Sequence, residues 1–269
     1  EQPDADAQGS AEDKDKPSEG KPEKPKDDKA DKQKRPPRPS HKHPGFKERS
    51  DERNEMVRFQ IEARGVKDVK VVRALRTVPR HSFVRPRDLK RAYGDYPLPI
   101  GLGQTISQPY IVAYMTEMLK LKPGDKVLEV GTGSGYQAAI CAELAQEVYT
   151  IEIIEQLGKQ AKNRLKDLGY LNVQAKLGDG YFGWPKKGPF DAIIVTCAGG
   201  LVPPPLIEQL KPGGRMILPL GHPFGLQYLV LVTKDTKGVV KNRRLLPVRF
   251  VPLLRKQKES KAPTSGDKR

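Results

Sequence analysis

Apolar residues recur at helical spacing in the first part of the chain that carries large hydrophobic side chains. They predict a helix that begins near Ser50 and stops at Gly65. The valines and leucine of residues 69–75 predict a second, shorter helix. Residues 78–84 form a predicted turn with apolar anchors. The two prolines within residues 96–100 keep that stretch extended and outside any helix.

Short apolar runs then alternate with helical patterns. The runs predict strands over residues 127–130, 147–152, 173–177, 190–196, 216–220, 228–233 and 245–253. Helices are predicted over residues 136–144, 154–168 and 204–210. Ile193, Ile194 and Val195 follow one another, as is typical of a parallel strand buried on both faces. The order predicts an α/β fold, with a mostly parallel doubly wound sheet, helices on both faces, an antiparallel closing element and an N-terminal helical cap.

The two ends of the chain differ from this alternating region in composition. Residues 1–45 are rich in Lys, Asp, Glu and Pro and nearly lack large apolar side chains, so they are predicted to form a disordered charged arm. Residues 257–269 are predicted to be a disordered basic tail. The domain itself is predicted to span residues 46–256.

Charge is distributed unevenly between these parts. The formal net charge of the chain is +16. The arm is almost neutral, and residues 51–256 hold about 32 Lys and Arg against about 19 Asp and Glu. A basic domain favours acidic partners, which are acidic proteins, nucleic acid or anionic lipid. A solubilising surface that binds nothing in particular explains the same charge, and composition leaves both interpretations open.

Cysteines and apolar stretches exclude several classes of protein. Cys141 and Cys197 lie in apolar surroundings and fit no metal-ligand spacing, so they are interpreted as packed thiols and no metal site is predicted. No uninterrupted apolar stretch is long enough to span a bilayer. The chain begins at Glu1 without a Met, which leaves open a mature form from which an export signal was removed.

Two glycine-rich turns carry the candidate chemistry. The first runs over residues 101–107, and Ser107 at its end is a predicted N-cap for the next helix. The second, residues 131–135, follows a predicted strand and precedes a predicted helix. Strand, glycine turn and helix in that order present backbone to a nucleotide-like ligand, because glycine allows a sharp turn and a close approach.

The spacing of the glycines in the second turn excludes two classes of nucleotide-binding site. Its glycines form G-x-G-x-G, whereas a dinucleotide site needs its third glycine where Tyr136 stands, and the Gly-Lys-Ser/Thr of a P-loop is absent. Glu152 ends the second strand about 20 residues downstream, where a carboxylate accepts hydrogen bonds from ribose hydroxyls. Asp179 and Gly180 follow the third strand, where an adenine would lie. Together these positions predict a nucleoside cleft.

Several motifs, in a fixed order, resemble one family. They are Val-Pro-Arg-His-Ser-Phe-Val at residues 78–84, Pro-Leu-Pro-Ile-Gly at 97–101, Gln-Thr-Ile-Ser at 104–107, Val-Leu-Glu-Val-Gly-Thr-Gly-Ser-Gly-Tyr-Gln at 127–137, Pro-Phe-Asp-Ala-Ile-Ile-Val-Thr at 189–196 and Arg-Phe-Val-Pro-Leu at 249–253. The glycine turn alone is typical of S-adenosylmethionine enzymes in general. With the more specific Gln-Thr-Ile-Ser and Phe-Val-Pro-Leu elements, residues 50–256 resemble a protein-L-isoaspartate O-methyltransferase.

The resemblance implies a Rossmann-like methyltransferase fold and S-adenosylmethionine as the cofactor, without a metal. It also implies methylation of the free carboxyl of L-isoaspartyl residues in damaged proteins or peptides, which are the expected partners. Ser107 corresponds to the family's active-site serine. The implied cofactor-binding residues are Gln104, Thr105, Ile106, Glu129, Gly131, Gly133, Gly135, Glu152, Asp179 and Gly180. Substrate is expected to bind along the backbone of Val251, Pro252 and Leu253.

The chemistry of such a reaction agrees with these residue types. The substrate carboxylate is already ionised at neutral pH, so no strong general base is needed. Catalysis then rests on desolvating and aligning that carboxylate, which a serine hydroxyl does by donating to one of its oxygens. A purely structural role for Ser107 as an N-cap is the alternative interpretation.

Three positions depart from the family pattern or need a separate interpretation. Cys197 stands where the family often has Ala, and it is interpreted as packing, with a redox-sensitive thiol as the alternative. Val112 stands where some relatives have a histidine, so no histidine role carries over. His81 is expected to anchor its turn.

Two other functions compete with this hypothesis. The basic domain suggests a nucleic-acid methyltransferase, but the Asn/Asp-Pro-Pro-aromatic element of base methylation is absent, and residues 196–199 read Thr-Cys-Ala-Gly instead. A non-catalytic module that binds the cofactor is the third possibility. Since the cofactor is made inside cells, the expected location is cytoplasmic, with an exported, periplasmic form as the alternative. The expected oligomeric state is a monomer.

Overall fold

A seven-stranded sheet forms the centre of the protein. The computed structural model describes residues 36–222 and 225–256. The strands are β1 Leu98–Gly101, β2 Gln104–Ile106, β3 Lys126–Val130, β4 Glu147–Glu152, β5 Val173–Leu177, β6 Phe190–Val195, β7 Leu210–Gly221, β8 Gln227–Lys234 and β9 Val240–Val248. β1 and β2 form an antiparallel hairpin, and the large sheet has the order β5-β4-β3-β6-β7-β8-β9.

Helices precede the sheet and connect its strands. They are α1 Ser50–Glu55, α2 Val69–Thr77, α3 Pro109–Leu119, α4 Tyr136–Leu144, α5 Glu155–Asp167 and α6 Pro204–Glu208. α1 continues as a π-helical segment, Met56–Ile61, and a 3₁₀ turn, Glu62–Arg64, before Gly65 ends it with a φ of 92°. Further 3₁₀ turns are Pro44–Phe46, Arg80–Phe83, Pro86–Arg91, Gly180–Phe182 and Pro185–Lys187.

The strands of the sheet centre are buried on both faces, as the sequence predicts. Val127 and Ile194 belong to one hydrophobic core, which they share with residues of α2, α3 and α4. Leu128 and Ile193 point to the opposite core, on the side of α6. β3 pairs in parallel with β4 on one side and β6 on the other, whereas β8 and β9 are antiparallel. The predicted doubly wound α/β fold with an antiparallel closing element is confirmed.

The last strand is displaced from its predicted position. β9 covers Val240–Val248, so the prediction of a strand over residues 245–253 is wrong at both ends. The first five residues of β9 are exposed, because the strand lies at the edge of the sheet, and no apolar alternation marks them. Residues 249–253 leave the sheet; Pro252 makes one isolated bridge to Ala198.

The predicted N-cap role of Ser107 is wrong. α3 begins at Pro109, its N-cap residue is Gln108, and no side chain caps it. Proline at the first helical position already has a helical φ and has no N–H that needs a partner. Ser107 therefore lies one residue outside the cap. The hairpin β1–β2, which presents the first glycine turn, is also absent from the sequence-based prediction.

The predicted arm and tail fall mostly outside the described residues. Residues 1–35 and 257–269 are not described. In the described part of the predicted arm, His41 Nε2 is 2.7 Å from Glu143 Oε1, and Gly45 is buried. The domain boundary at residue 45 stays a prediction. Among the described helices, none has the length and apolar character needed to cross a membrane.

Candidate functional site

The candidate site lies at the carboxyl ends of three adjacent parallel strands. Gly131 follows β3, Glu152 ends β4, and Thr196 follows β6. The strand ends are tied together, since the Gly131 N–H donates to Ile151 O at 2.9 Å and Thr196 Oγ1 donates to Gly131 O at 2.6 Å. The strand order switches here, because β4 lies on one side of β3 and β6 lies on the other. This is the position at which open α/β sheets bind ligands.

Three cavities meet at this edge, and each is named here by one residue that lines it. The Glu152 cavity includes Gly131, Gly180 and Pro252 in its lining. The Gln137 cavity lies beside it under the second glycine turn. The Arg249 cavity is an open groove of about 670 Å³. Thr105 and Thr196 line all three, and Ser107 lines both the Gln137 and the Arg249 cavities. Ser107 therefore lies at the junction of the Gln137 and Arg249 cavities.

Two glycines make room for a ligand in the Glu152 cavity. Gly131 has a φ of 95°, and a Cβ there would lie 2.5 Å from Thr196 Oγ1. A Cβ on Gly180 would lie 2.4 Å from Val130 Cγ1. A side chain at either position would clash with a neighbouring strand end and narrow the cavity, so glycine is required at both.

The Glu152 carboxylate is held in one orientation by backbone donors. Its Oε2 accepts from the Gly133 N–H at 2.8 Å, and its Oε1 accepts from the Ile154 N–H at 2.9 Å. The residue is buried and lines the cavity that bears its name. Each oxygen keeps a lone pair for a further donor. A carboxylate fixed in this way suits two neighbouring hydroxyls, as in a ribose diol.

Glu129 lies deeper, beneath the second glycine turn. It is fully buried, borders the Gln137 cavity, and accepts a hydrogen bond from Thr150 Oγ1, which Thr132 Oγ1 approaches to 2.6 Å. Burial raises the pKa of Glu129 to about 8, with a smaller contribution from the nearby Glu152 carboxylate. The raised pKa favours the neutral, protonated form of Glu129 at pH 7, which still accepts from Thr150.

This raised pKa predicts a pH-dependent stability. The folded form holds a proton on Glu129 that the unfolded chain, with an ordinary glutamate pKa of 4.5, releases. The stabilisation that protonated Glu129 gives to the folded state is complete below pH 4.5 and is lost as the pH rises through 8. The free energy of unfolding should fall over that window, by at most about 1.4 kcal/mol per pH unit from this group. Denaturant unfolding from pH 4 to 9 should give a flatter profile for Glu129→Gln than for the wild type; identical slopes would contradict the prediction.

Asp179 and Gly180 are placed differently from each other. Gly180 lines the Glu152 cavity, whereas Asp179 lines none of the three cavities. Asp179 Oδ1 caps the following 3₁₀ turn through the Tyr181 N–H at 3.0 Å, and Oδ2 accepts from Arg255 Nε at 2.9 Å. The Arg255 guanidinium also stacks 3.7 Å from the centre of the Tyr181 ring. The cofactor role of Asp179 stays a prediction, and the structure shows a second partner for its carboxylate.

The other predicted cofactor residues fall into three groups. Gln104, Thr105 and Gly133 line the Glu152 cavity. Ile106 and Glu129 line the Gln137 cavity, which Gly133 also borders. Gly135 lines none of the three; it is the N-cap of α4 with a φ of 89°, and a Cβ there would lie 3.2 Å from Leu165. The cofactor role of Gly135 stays a prediction, and its lack of a Cβ also allows the close packing of Leu165 at the start of α4.

The segment after β9 forms one wall shared by two cavities. Val251 lines both the Glu152 and the Arg249 cavities, while Pro252 and Leu253 line only the former. The predicted backbone groups are already paired in part, because Val251 O accepts from the Ala198 N–H and the Leu253 N–H donates to Ala198 O, both at 2.8 Å. A role of these three residues in substrate binding stays a prediction.

A buried glutamine holds the same wall from the other side. Gln227 is fully buried at the start of β8. Its Oε1 accepts from the Phe250 N–H at 2.7 Å, and its Nε2 donates to Phe250 O at 3.2 Å. Residues 249–251 are thereby fixed although they belong to no strand. Sequence reasoning missed this residue, since the contact joins positions 23 residues apart.

Sequence reasoning also missed Thr196, which lines all three cavities. The sequence does contain a signal for it: Thr196 is a polar residue directly after β6, and β6 lies beside β3 in the sheet. Ile153, Ile154 and Leu254 also line the Glu152 cavity and were not predicted. Whether these residues reach the cavity depends on the path of the chain after β4 and after β9.

The cysteines and His81 do not form a catalytic centre. Cys197 lines the Glu152 cavity, but burial raises the pKa of its thiol and raises the pKa of the Cys141 thiol to about 12, which disfavours the thiolate form of both. His81 is buried with its Nδ1 2.7 Å from the Tyr93 hydroxyl, in the anchoring position expected for it. In the part of the chain that the structure describes, no cluster of His, Cys, Asp and Glu has the arrangement of a metal site.

Comparison with known proteins gives a consistent result. The family model of protein-L-isoaspartate(D-aspartate) O-methyltransferase matches residues 51–258. A protein-L-isoaspartate O-methyltransferase of Nitrosospira multiformis is 60% identical over 203 residues, which cover 75% of this chain and 86% of the relative. One of Polaromonas sp. is 61% identical over 186 residues, covering 69% of this chain and 88% of the relative.

Solved structures agree with the sequence comparison. A protein-L-isoaspartate O-methyltransferase superposes with a TM-score of 0.68 at 31% identity, covering 74% of this chain and 65% of the other. A Plasmodium falciparum protein described as a beta-aspartate methyltransferase (PCMT), in complex with S-adenosyl-L-homocysteine, gives a TM-score of 0.65 at 25% identity, over 75% of this chain and 98% of the other.

Proposed function

Since the chain belongs to the protein-L-isoaspartate(D-aspartate) O-methyltransferase family, we propose that it carries out the family's reaction with Ser107 as the residue that orients the substrate. The protein transfers a methyl group from S-adenosylmethionine to the free carboxyl of L-isoaspartyl residues, a reaction of protein repair. The position of Ser107 at the junction of the Gln137 and Arg249 cavities carries the proposal.

The residues that line the Glu152 and Gln137 cavities suit S-adenosylmethionine. Bound there, the cofactor supplies an electrophilic methyl group on a sulfonium. Glu152 would hold the ribose hydroxyls, because both its oxygens are already aligned by backbone donors. Gly131 would allow the methionine part to lie against the backbone, and Gly180 would leave space for the adenine. The Asp179 carboxylate already accepts a hydrogen bond from Arg255, so any contact with the adenine would be in addition to that bond.

Ser107 would act on the substrate carboxylate. No described residue forms a hydrogen bond with its hydroxyl, and the residue is only partly buried, so the hydroxyl is available to an incoming oxygen. By donating to one carboxylate oxygen it would fix the other in line with the methyl group. No His, Lys, Asp or Glu lines the Arg249 cavity, in agreement with a nucleophile that is already ionised.

A pair of matched peptides tests this function. One contains L-isoaspartate and the other a normal aspartate at the same position, and both are assayed for methyl transfer from labelled S-adenosylmethionine. We expect methylation of the isoaspartyl peptide alone, with a base-labile product as for a methyl ester. Equal transfer to both peptides, or transfer to neither, would refute the proposal. Salt-sensitive methylation of RNA instead would identify a nucleic-acid methyltransferase.

Two finer features belong to the same proposal. We propose that the enzyme acts as a monomer, because a single chain supplies the junction of all three cavities. We also propose a cytoplasmic location, because S-adenosylmethionine is made inside cells. Sedimentation of the purified protein tests the first, and fractionation of cells tests the second.

A further inference from the structure

One charged side chain stands in the lining of the substrate groove. The Arg249 cavity is otherwise lined by neutral residues, among them Ser107, Gln108, Ile111 and Phe250. Its volume of about 670 Å³ lies in the range that encloses drug-sized ligands, so it has room for residues on either side of an isoaspartyl unit. The groove therefore presents a positive charge to a bound peptide.

The Arg249 guanidinium has no protein partner among the described residues. The side chain is exposed, and no described carboxylate or carbonyl forms an ion pair or hydrogen bond with it. Other arginines of this region are engaged: Arg255 pairs with Asp179, and Arg244 stacks 4.5 Å from the centre of the Tyr228 ring. Arg249 is thus a cation in the groove that remains available to a ligand.

The position of Arg249 is set by its neighbours. Gln227 binds both backbone groups of Phe250, and Ala198 pairs with Val251. Arg249 lies between this clamped segment and the end of β9 at Val248. Its Cα is therefore held in the groove wall, and only the side chain needs to be ordered when a peptide binds.

The reacting carboxylate is a poor partner for this arginine. That group loses its negative charge as the methyl is transferred, so a cation bound to it would stabilise the ground state more than the transition state. Ser107, a neutral donor, lines the same groove and orients that carboxylate without this penalty. The remaining candidate partner for Arg249 is a negative charge elsewhere on the peptide.

We propose that Arg249 is a specificity residue that binds an acidic side chain adjacent to the isoaspartyl residue of the substrate. The inference rests on the proposed function, and it adds a preference for acidic sequence around the damaged site. A guanidinium binds a carboxylate through two parallel hydrogen bonds, which makes the preference directional as well as electrostatic.

The test uses isoaspartyl peptides that differ in one neighbour. Glu, Gln or Lys is placed before or after the isoaspartate, and KM and kcat are measured separately. For the wild type we expect a KM about 3- to 10-fold lower with Glu than with Gln on at least one side, at equal kcat. Arg249→Gln should remove this difference, and Arg249→Glu should transfer the preference to the Lys peptide. Arg73→Gln, on an exposed arginine of α2, is the matched control and should keep the wild-type pattern.

The outcomes separate this inference from the proposed function. If the wild type shows no difference between the Glu and Gln peptides, the inference is wrong, although the function stands. If Arg249→Gln lowers kcat equally on all peptides, Arg249 acts on the reacting carboxylate and the inference is also wrong. Failure of the wild type to distinguish isoaspartyl from aspartyl peptides would instead refute the function.

Discussion

Ser107→Ala should lower kcat by about 100-fold while the Kd for S-adenosylmethionine stays within about twofold of the wild type. Loss of one preorganised donor in an active site typically costs a factor of about 10² to 10³. Ser107 lines the Gln137 and Arg249 cavities but not the Glu152 cavity, so the cofactor should retain its main contacts. Single-turnover methylation of an isoaspartyl peptide gives the rate, and calorimetry gives the affinity.

The same experiment separates a catalytic serine from a structural one. Ser107 does not cap α3, so its replacement should leave the unfolding temperature nearly unchanged. Ser50→Ala, at the start of α1 and outside the lining of all three cavities, is the control for loss of a hydroxyl. A parallel fall in turnover, cofactor affinity and stability would show that Ser107 supports the fold.

Gly131→Ala should abolish most cofactor binding. A φ of 95° is unfavourable for any residue with a Cβ, at a cost of about 1–2 kcal/mol. The added methyl would also lie 2.5 Å from Thr196 Oγ1, which bonds Gly131 O, so the tie between β3 and β6 must shift. We expect the Kd for S-adenosylmethionine to rise at least about 10-fold, with a stability loss of about 1–2 kcal/mol.

Gly124→Ala provides the matched control for this substitution. Gly124 lies before β3, and a Cβ there has no atom within 4 Å. It should leave the Kd and the free energy of unfolding close to the wild-type values. Wild-type affinity in Gly131→Ala, measured by calorimetry on protein shown to be folded, would mean that the cofactor does not approach this turn.

Regular elements with strong local patterns could be predicted from the sequence. α4, β4 and β5 have the predicted bounds, because apolar residues recur in each at the spacing typical of its helix or strand. The second glycine turn was recognised for the same reason: its position between a strand and a helix is local in sequence. The order of the motifs along the chain likewise indicates the family, with Ser107 as its candidate catalytic residue, independently of any tertiary contact.

The other features of the fold and of the site depend on contacts between residues far apart in the sequence. β9 is an exposed edge strand whose pairing with β8, and not its own hydrophobicity, determines its bounds. Arg255 reaches Asp179 from 76 positions away. Thr196 joins the site because β6 lies beside β3. Local sequence specifies turns, caps and buried runs, since their energies arise among neighbouring residues. Which side chains share a cavity depends on strand order, whose energies come from distant pairings, and the availability of Arg249 became visible only in the folded chain.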